Sequence, residues 1–303
     1  MKTLDFGEPG SVIDVLAPSG KVVDPTTFQH CEMIINEWGY QVSWSKNIIG
    51  NHAFLSNTIT NRFEDLKKAL YSPSKMIWPY RGGSGSAELL PLLSTLPAPK
   101  TQKIFLGFSD LTSLHLFFNQ QWNWITFHGP VVKQLLNESL DVHSLILLKH
   151  FLQHGFDLKN YNVYHELQLN DYNSAAKNNH FNIQAPMTGG NLTVICHTLG
   201  TSNQIISDHK ILLLEDVNEP AYKIRRMLTH LSQAGIFSKV KAVILGNFIE
   251  YNRSEPMKNY DTEKELFEFS ESQSFPVFKT DKIGHGKQNY VVPFNSTVQL
   301  IKT

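Results

Sequence analysis

The sequence predicts an α/β protein with an N-terminal domain built on a parallel sheet, followed by a smaller α/β domain. In the first half of the chain, short apolar runs alternate with stretches of helical spacing. This pattern is typical of a parallel sheet with helices on both faces. In the second half, three further apolar runs and one well-delimited helix follow a polar stretch. The two halves therefore predict two domains.

The N-terminal half alternates regularly between strand and helix patterns. The predicted strands span 12–17, 40–44, 75–79 and 104–108, and the predicted helices span 26–38, 60–71, 86–93 and 110–118. Thr60 or Asn61 is the expected cap of the second helix. Ligands of such sheets bind beyond the carboxyl ends of the strands. Gly83 and Ser109 both follow strand ends, and this edge is therefore the expected functional edge.

A polar stretch rich in Asn, Tyr, Gln and Ser spans 161–181 and predicts a linker. The expected domains are therefore 1–160 and 182–303. The apolar runs 192–196, 211–214 and 242–246 predict strands of the second domain. Between the last two, a helix is expected from Pro220, in its first turn, to Gly235 at its end.

Composition excludes several functional classes. The chain has 303 residues, 41% of them hydrophobic, and 27 acidic residues balance 27 basic ones. The net charge of zero gives no sign of a polyanion-binding surface, so nucleic acid is not an expected partner. The apolar runs are too short to cross a membrane, and residues 1–10 have no apolar core of the signal-peptide type, so neither a membrane span nor a signal peptide is expected. Cys31 and Cys196 are expected to be buried thiols in a reducing compartment, which indicates a cytoplasmic protein.

Ser109 is a candidate nucleophile because it follows an apolar strand and precedes a helix. A serine on a sharp strand-to-helix turn exposes its hydroxyl beside the first N–H groups of the helix. Gly107 and Ser109 match half of the nucleophile-elbow pattern, but Leu111 stands at the second glycine position. The alternative is that Ser109 or Asp110 caps an ordinary helix.

His285 is the candidate base because Gly284 and Gly286 bracket it, which allows tight turns and close approach of a partner. An exposed histidine in a turn is the alternative. His150 and His154 are spaced to chelate a metal on a helix, but the glutamate of a zinc-protease helix and a third ligand are missing. His115 and His128 flank the Ser109 helix and are expected to pack locally.

Glu215 is the candidate acid because a carboxylate after four apolar strand residues is costly to bury without a partner. The alternative is a charge that favours the start of the Pro220 helix. Asp216 and Glu219 suit that role better, and Glu219 remains a rival for the acid.

The glycine-rich stretch 81–85 leads from a strand into a helix and can supply N–H donors to an oxyanion. It also resembles the start of a dinucleotide loop. However, Glu88 stands where the third glycine belongs, and the lysine of a phosphate loop is missing.

Taken together, these residues resemble the LD-carboxypeptidase family of serine peptidases, which includes muramoyltetrapeptide carboxypeptidases and microcin-immunity peptidases. The order and spacing of several short strings carry the resemblance. They are Ala17-Pro18-Ser19-Gly20, Arg81-Gly82-Gly83-Ser84-Gly85-Ser86, Leu106-Gly107-Phe108-Ser109-Asp110-Leu111-Thr112, Thr126-Phe127-His128-Gly129-Pro130, Gly189-Gly190-Asn191-Leu192, Gly200-Thr201, Leu214-Glu215-Asp216-Val217 through Tyr222, Arg226-Met227-Leu228 and Gly284-His285-Gly286.

The resemblance implies a catalytic triad in which Ser109 is the nucleophile, His285 the general base and Glu215 the carboxylate that orients it. The backbone N–H groups of Asp110 and Gly83 would form the oxyanion hole. It further implies a mixed sheet in the C-terminal domain and an active site in the cleft between the domains.

The substrate implied is a murein tetrapeptide that loses its terminal D-Ala from an L,D bond during cell-wall recycling. Arg81, Gly82 and Ser84 would contact it, and a homodimer without metal or cofactor is expected. Ser84 stands where the family usually has an aromatic residue, so the substrate rim is altered. The alternatives are a peptidase of a peptidyl-nucleotide antibiotic that gives self-immunity, and a small-molecule binding module without catalysis.

Overall fold

The computed structural model describes residues 4–136, 138–178, 180–250 and 261–302. The chain forms two compact units. The first comprises Met1–Phe156 with Tyr290–Val292, and the second comprises Asp157–Asn289 with Pro293–Thr303. Strands and helices alternate along much of the chain.

The strands are β1 Val12–Val15, β2 Gln41–Trp44, β3 Met76–Ile77, β4 Ile104–Gly107, β5 Thr126–His128, β6 Asn170–Asp171, β7 Phe181–Asn191, β8 Ile211–Val217, β9 Ala242–Ile249, β10 Val277–Lys279, β11 Val292–Phe294 and β12 Thr297–Lys302. The helices are α1 Thr27–Glu37, α2 Ile59–Tyr71, α3 Leu90–Leu93, α4 Thr112–Gln121, α5 Val142–His154, α6 Val163–Glu166, α7 Ser174–Lys177, α8 Leu192–Thr198, α9 Ala221–Gln233 and α10 Thr262–Glu271. Short 3₁₀ turns cover Ser86–Leu89, Ser109–Leu111 and Val132–Leu135.

The sheet of the first unit has the strand order β11-β5-β4-β3-β1-β2. The pairs from β2 through β1, β3 and β4 to β5 are all parallel, which confirms the predicted parallel sheet. Successive side chains of β4 enter different cores: Ile104 and Leu106 join the core formed with α1 and α5, and Phe105 joins the one formed with α2, α3 and α4. Helices therefore cover both faces of this sheet.

The edge strand β11 comes from far along the chain. Val291, just before it, is buried in the core formed with α1 and α5, and the Tyr290 ring lies 5.5 Å from that of His143. A Cβ on Gly129 would lie 3.3 Å from the Cα of Val291. A side chain at position 129 would therefore require its neighbours Leu106 and Val291 to shift.

A buried cation holds the amino-terminal edge of the first sheet. Lys103, directly before β4, is 4% exposed, and its Nζ donates to the carbonyls of Ser72 (2.8 Å) and Ser74 (2.6 Å). Both serine hydroxyls in turn donate to the carboxylate of Asp14 on β1. Burial lowers the pKa of Lys103 to about 8. The Lys103 ammonium and the Asp14 carboxylate thus connect the amino-terminal parts of β1, β3 and β4 through Ser72 and Ser74.

Replacing Lys103 by methionine is expected to lower the free energy of unfolding by about 3 kcal/mol, because the Ser72 and Ser74 carbonyls would lose a buried donor. Urea unfolding measures the change. Lys100→Met, at an exposed lysine nearby, is the matched control and should stay within about 0.5 kcal/mol of wild type. Equal stability of the two variants would contradict a structural role for Lys103.

The sheet of the second unit has the strand order β12-β7-β8-β9-β10-β6. Strands β7 to β10 are parallel, whereas β12 pairs with β7 and β6 pairs with β10 in antiparallel fashion. The second sheet is therefore mixed, as the resemblance implied. Helix α9 begins after Pro220, and Gly235 follows it with a φ of 76°. The predicted limits of this helix are thus close to the observed ones.

The prediction of a strand over 192–196 is wrong, because these residues form helix α8. The side chain of Asn191 accepts a hydrogen bond from the N–H of Val194 and caps the helix. A short apolar run has no periodicity that separates a buried strand from a buried helix. The cap decides between them here.

The segment 161–181, predicted as a linker, contains α6, β6 and α7 and belongs to the second unit. Its amides bond to backbone groups of this unit. Asn162 caps α6, and Asn173 caps α7 while its Nδ2 donates to the carbonyls of Ser270 and Phe275. The Asn-rich composition thus reflects capping of short elements.

Helix starts also differ from the predicted ones. Helix α2 begins at Ile59, and its cap is Thr58, whose hydroxyl accepts from the N–H of Asn61 at 3.3 Å. The predicted helix over 86–93 begins as a 3₁₀ turn and becomes α3, with Pro91 in its first turn. Proline fits there because first-turn N–H groups have no acceptor within the helix.

Cys31 and Cys196 are both buried and unbridged. Burial raises the pKa of the Cys31 thiol to about 11 and that of Cys196 to about 12. Both thiols are therefore protonated at neutral pH and are poor nucleophiles. Among the described residues, no helix combines the length and the apolar character needed to cross a bilayer.

Candidate functional site

Ser109 lies on a strained turn at the carboxyl end of β4. Its φ is +65°, in the left-handed region that non-glycine residues rarely adopt. Phe108 before it is extended, and the 3₁₀ turn Ser109–Leu111 follows. Such backbone strain costs about 1 kcal/mol or more and persists only where the surroundings enforce it. The turn leaves Ser109 partly exposed, as a nucleophile requires.

Neither Ser109 nor Asp110 caps the helix that follows, which was the alternative interpretation. The capping positions are Phe108 and Leu111, and neither makes a side-chain cap. The Asp110 carboxylate instead accepts from the N–H of Ser86 at 2.9 Å, and the Ser86 hydroxyl donates to the Asp110 carbonyl at 2.6 Å. These two bonds tie the Ser109 turn to the end of the glycine loop.

The glycine loop 81–85 packs directly against Ser109. A Cβ on Gly82 would lie 2.9 Å from the Cβ of Ser109, and one on Gly83, whose φ is +125°, would lie 2.9 Å from the Cα of Gly20. The Gly82 carbonyl accepts from the N–H of Gly20 at 3.2 Å. Because the peptide is planar and trans, the N–H of Gly83 points away from Gly20.

Arg81 braces this loop. Its Nη1 donates to the carbonyl of Lys21 at 2.8 Å and its Nε to that of Gly82 at 3.2 Å, while the residue stays partly exposed. Ser84 is exposed at the tip of the loop. The predicted substrate-binding residues Arg81, Gly82 and Ser84 therefore belong to one loop beside Ser109.

The buried His115 supports the same strand end. Its Nδ1 lies 2.7 Å from the hydroxyl of Thr126, and its Nε2 lies 2.8 Å from the carbonyl of Gly107. Burial lowers the pKa of His115 to about 4, so the ring is neutral. A carbonyl only accepts, so Nε2 carries the hydrogen. His115 thus packs locally, as predicted, and holds the residue two positions before Ser109.

His150 and His154 are exposed on α5, with ring centroids 4.6 Å apart. Within the described parts of the chain, no group of three or more His, Cys, Asp or Glu side chains could hold a metal ion. The pair therefore has no third protein ligand in that part of the structure.

Glu215 and His285 form a close pair in the second unit. Oε2 of the fully buried Glu215 lies 2.7 Å from Nδ1 of His285, whose side chain is 17% exposed. Burial by itself would lower the pKa of His285, but the charge of Glu215 and the hydrogen bond to it raise that pKa above its ordinary value. With Nδ1 donating to the carboxylate, the neutral ring carries its lone pair on Nε2.

The glycines around His285 are required by close packing. Gly284 has a φ of +113°, and a Cβ there would lie 2.9 Å from Oε2 of Glu215. A Cβ on Gly286 would lie 2.7 Å from Nδ2 of Asn247. The loop can therefore bring the imidazole onto the carboxylate only without side chains at these positions.

Glu215 lies at a register shift between β8 and β9, which falls between Leu214 and Asp216. The neighbouring Asp216 accepts from the N–H and the hydroxyl of Thr193, both at 2.8 Å, at the start of α8. Burial, aided by the charge of Glu215, raises the pKa of Asp216 to about 6. The two consecutive carboxylates of β8 thus have different partners, as expected of side chains that alternate between the faces of a strand.

Glu219, the rival acid, lies before α9, and its carboxylate is 3.2 Å from Nζ of Lys223. It belongs to a surface ion pair, whereas Glu215 contacts the histidine. Each unit thus holds part of the predicted site: Ser109 with the glycine loop in the first, Glu215 with His285 in the second.

The amides that hold the His285 loop were not predicted from the sequence. The N–H of Asn247 donates to the Ile283 carbonyl at 2.8 Å, and its Nδ2 donates to the Asp281 carbonyl at 3.0 Å. Asn289 accepts from the N–H of Gly284 at 3.2 Å. Asn247 directly follows the predicted strand 242–246. A polar residue directly after an apolar strand is also the signal that identified Glu215, so Asn247 could have been found in the same way.

Comparison with known proteins places both units in one family. The model of the LD-carboxypeptidase N-terminal domain matches residues 13–129, and the model of the C-terminal domain matches residues 184–300. A protein of Rickettsia conorii named as a carboxypeptidase is 37% identical over 271 residues, which are 89% of this chain and 82% of the relative. The murein tetrapeptide carboxypeptidase of Pseudomonas aeruginosa is 28% identical over 274 residues, covering 86% of this chain and 84% of that protein.

Solved structures share the fold. The muramoyltetrapeptide carboxypeptidase of Oxalobacter formigenes matches with a TM-score of 0.78 at 24% identity, over 97% of this chain and 96% of that one. A microcin C7 self-immunity protein matches with a TM-score of 0.78 at 18% identity, over 97% of each chain. Because both family models and a relative above 30% identity span most of the sequence, the chain belongs to the LD-carboxypeptidase family of peptidases.

Proposed function

We propose that this protein is a serine LD-carboxypeptidase that releases the terminal D-Ala of a murein tetrapeptide by cleaving an L,D peptide bond. The observation that carries the proposal is the buried Glu215–His285 pair, 2.7 Å apart. A carboxylate on Nδ1 prepares Nε2 to accept a proton, as a serine hydrolase requires. The name of the Pseudomonas aeruginosa relative supports the choice of substrate.

In the proposed mechanism, Nε2 of His285 takes the proton of the Ser109 hydroxyl as the oxygen attacks the scissile carbonyl. Glu215 stabilises the imidazolium that forms. The N–H groups of Asp110 and Gly83 bind the oxyanion. When the intermediate collapses, the C–N bond breaks, and His285 protonates the amine of the leaving D-Ala. Water, deprotonated by His285, then attacks the acyl carbon, the bond from that carbon to the Ser109 oxygen breaks, and His285 returns the proton to this oxygen.

Arg81 is the proposed partner of the substrate carboxylate. Its guanidinium is partly exposed on the loop that packs against Ser109, and its two bonds to carbonyls fix its plane. A guanidinium held in this way binds a carboxylate with little loss of side-chain freedom. The short Ser84 at the exposed tip gives the rim of this loop more room than an aromatic residue would.

Mass spectrometry after incubation with murein tetrapeptide tests the proposal. The expected product is the tripeptide with one D-Ala released, formed equally well in EDTA. The diastereomer with a terminal L-Ala is the control substrate and should remain intact. Intact tetrapeptide after prolonged incubation, with the Ser109→Ala variant indistinguishable from wild type, would overturn the proposal.

A peptidyl-nucleotide antibiotic incubated in parallel separates the alternatives. Hydrolysis of the antibiotic alone would assign the chain to self-immunity rather than to murein recycling. A thermal shift with either compound, without turnover and without labelling of Ser109 by a serine-directed phosphonate, would indicate a binding module.

A further inference from the structure

A fully buried arginine lies behind the glycine loop. Arg62 of α2 has a side chain with 0% exposure. Its Nε donates to the carbonyl of Asn57 at 3.1 Å, and its Nη1 donates to the carbonyls of Pro18 at 2.8 Å and Gly85 at 2.7 Å. Nη2 bonds to the carboxylate of Glu88, which is half-exposed. One guanidinium therefore joins three loops and the turn that begins after Gly85.

Two of these loops also meet beside Ser109. Pro18 lies two residues before Gly20, whose N–H donates to the Gly82 carbonyl. Gly85 ends the same glycine loop, and its carbonyl is held by Arg62. The peptide units between Gly82 and Gly85, which include the N–H of Gly83, are thus fixed at both ends.

The hydrogen bond from Arg62 to the Gly85 carbonyl also affects the Ser109 turn, through the planar peptide that joins Gly85 to Ser86. Because the Gly85 carbonyl points at Arg62, the N–H of Ser86 points the opposite way. That N–H donates to the carboxylate of Asp110, the neighbour of Ser109. Arg62 thereby sets the direction of a donor that holds the candidate nucleophile's own turn.

The loop is shaped around the guanidinium. Gly85 has a φ of +108°, and a Cβ there would lie 2.8 Å from Nη1 of Arg62. Glu88 stands where a dinucleotide loop would have its third glycine. Its carboxylate bonds to Nη2 of Arg62 and balances the charge of the buried guanidinium. A lysine is a poor substitute for the arginine, because an ammonium offers its donors from a single atom, whereas the guanidinium makes four hydrogen bonds from three nitrogens.

We propose that Arg62 is a positioning residue of the reaction, which holds the glycine loop so that the Gly83 N–H and Ser109 keep their catalytic geometry. It acts through the backbone and does not touch substrate. This inference rests on the function proposed above and adds to it the residue on which the oxyanion hole depends.

The test compares Arg62→Ala with Lys103→Met, since both remove a buried cation that binds loop carbonyls of the first unit. Arg62→Ala is expected to lower kcat about 100-fold with little change in KM, because small displacements of catalytic groups cost that much. Lys103→Met lies at the opposite end of the strands and should keep the wild-type kcat despite its lower stability. Guanidinium added at non-denaturing concentration should restore part of the kcat of Arg62→Ala and leave that of Lys103→Met unchanged.

A folded Arg62→Ala variant with wild-type kcat would overturn the proposal, as would an equal loss of kcat in Lys103→Met. If Arg62→Ala does not fold, Arg62→Lys takes its place, and an unchanged kcat in that variant overturns the proposal.

The rate of phosphonate labelling at Ser109 provides a readout that needs no murein substrate. Wild type that is labelled but leaves the tetrapeptide intact refutes only the proposed substrate, and slower labelling of the Arg62 variant then still supports the positioning role. Wild type that is not labelled refutes both proposals.

Discussion

Replacing Ser109 by alanine is expected to reduce kcat for tetrapeptide cleavage by roughly 10⁴- to 10⁶-fold, as the loss of a nucleophile does in serine peptidases. The fold should be retained, because the turn is also held by Asp110 and the glycine loop. Release of D-Ala, followed by mass spectrometry, measures the effect. Ser113→Ala removes another buried serine from the adjoining helix α4 and should keep the wild-type kcat.

The same position offers a stability readout that activity cannot give. A φ of +65° suits glycine better than serine. Ser109→Gly should therefore be as inactive as the alanine variant, yet more stable than it by about 1 kcal/mol in urea unfolding. Activity comparable to wild type in either variant would refute Ser109 as the nucleophile, and a less stable glycine variant would refute the strain.

Replacing Glu215 by glutamine is expected to lower kcat roughly 10⁴-fold, because an amide can donate to Nδ1 and hold the imidazole in the wrong tautomer. Glu219→Gln is the matched control, since it alters the rival carboxylate at its surface ion pair with Lys223. It should leave kcat nearly unchanged. If Glu219→Gln instead lost most of its kcat and Glu215→Gln kept it, the assignment of Glu215 as the acid would be refuted.

The pH profile should change in the same variant. The base must be neutral to accept a proton, so kcat/KM rises as pH passes through the pKa of His285. Glu215 raises that pKa against the effect of burial, which places the acidic limb above the ordinary histidine value. In Glu215→Gln the burial remains while the charge is lost, so the limb should move to lower pH. If the acidic limb of kcat/KM lies at the same pH in Glu215→Gln and in wild type, a group other than His285 controls it.

The local pattern of the sequence predicts much of this fold but not its long-range contacts. Alternating apolar runs are enough to predict the first sheet, because each strand and helix is specified by its own residues. The helix α8 was missed because its cap, Asn191, precedes a run too short to show a period. Arg62 was missed for another reason. On a helix it resembles any solvated arginine, and only the distant carbonyls of Pro18 and Gly85 show its burial.

Part of the candidate site could likewise be predicted from the sequence, and part of it could not. Gly82, Ser109, Glu215 and His285 could be proposed because each stands at a strand end or between glycines. The left-handed φ of Ser109 and the register shift at Glu215 could not, because both arise from packing between strands and loops remote in sequence. The proposal of Glu215 rather than Glu219 as the acid likewise rests on a contact between distant residues, the one between Glu215 and His285.

The late return of Tyr290–Val292 to the first unit has a consequence for how the protein is made. The edge strand β11 is adjacent to β5 but leaves the ribosome after nearly all of the second unit. At typical elongation rates of about 5–20 residues per second, the roughly 160 residues between β5 and β11 take about 8–33 s to synthesise, and the edge of β5 stays unpaired for that time. During this interval the open edge is a site for pairing with other nascent chains. Until Tyr290–Val292 emerge, the first sheet therefore has to form with one edge strand missing.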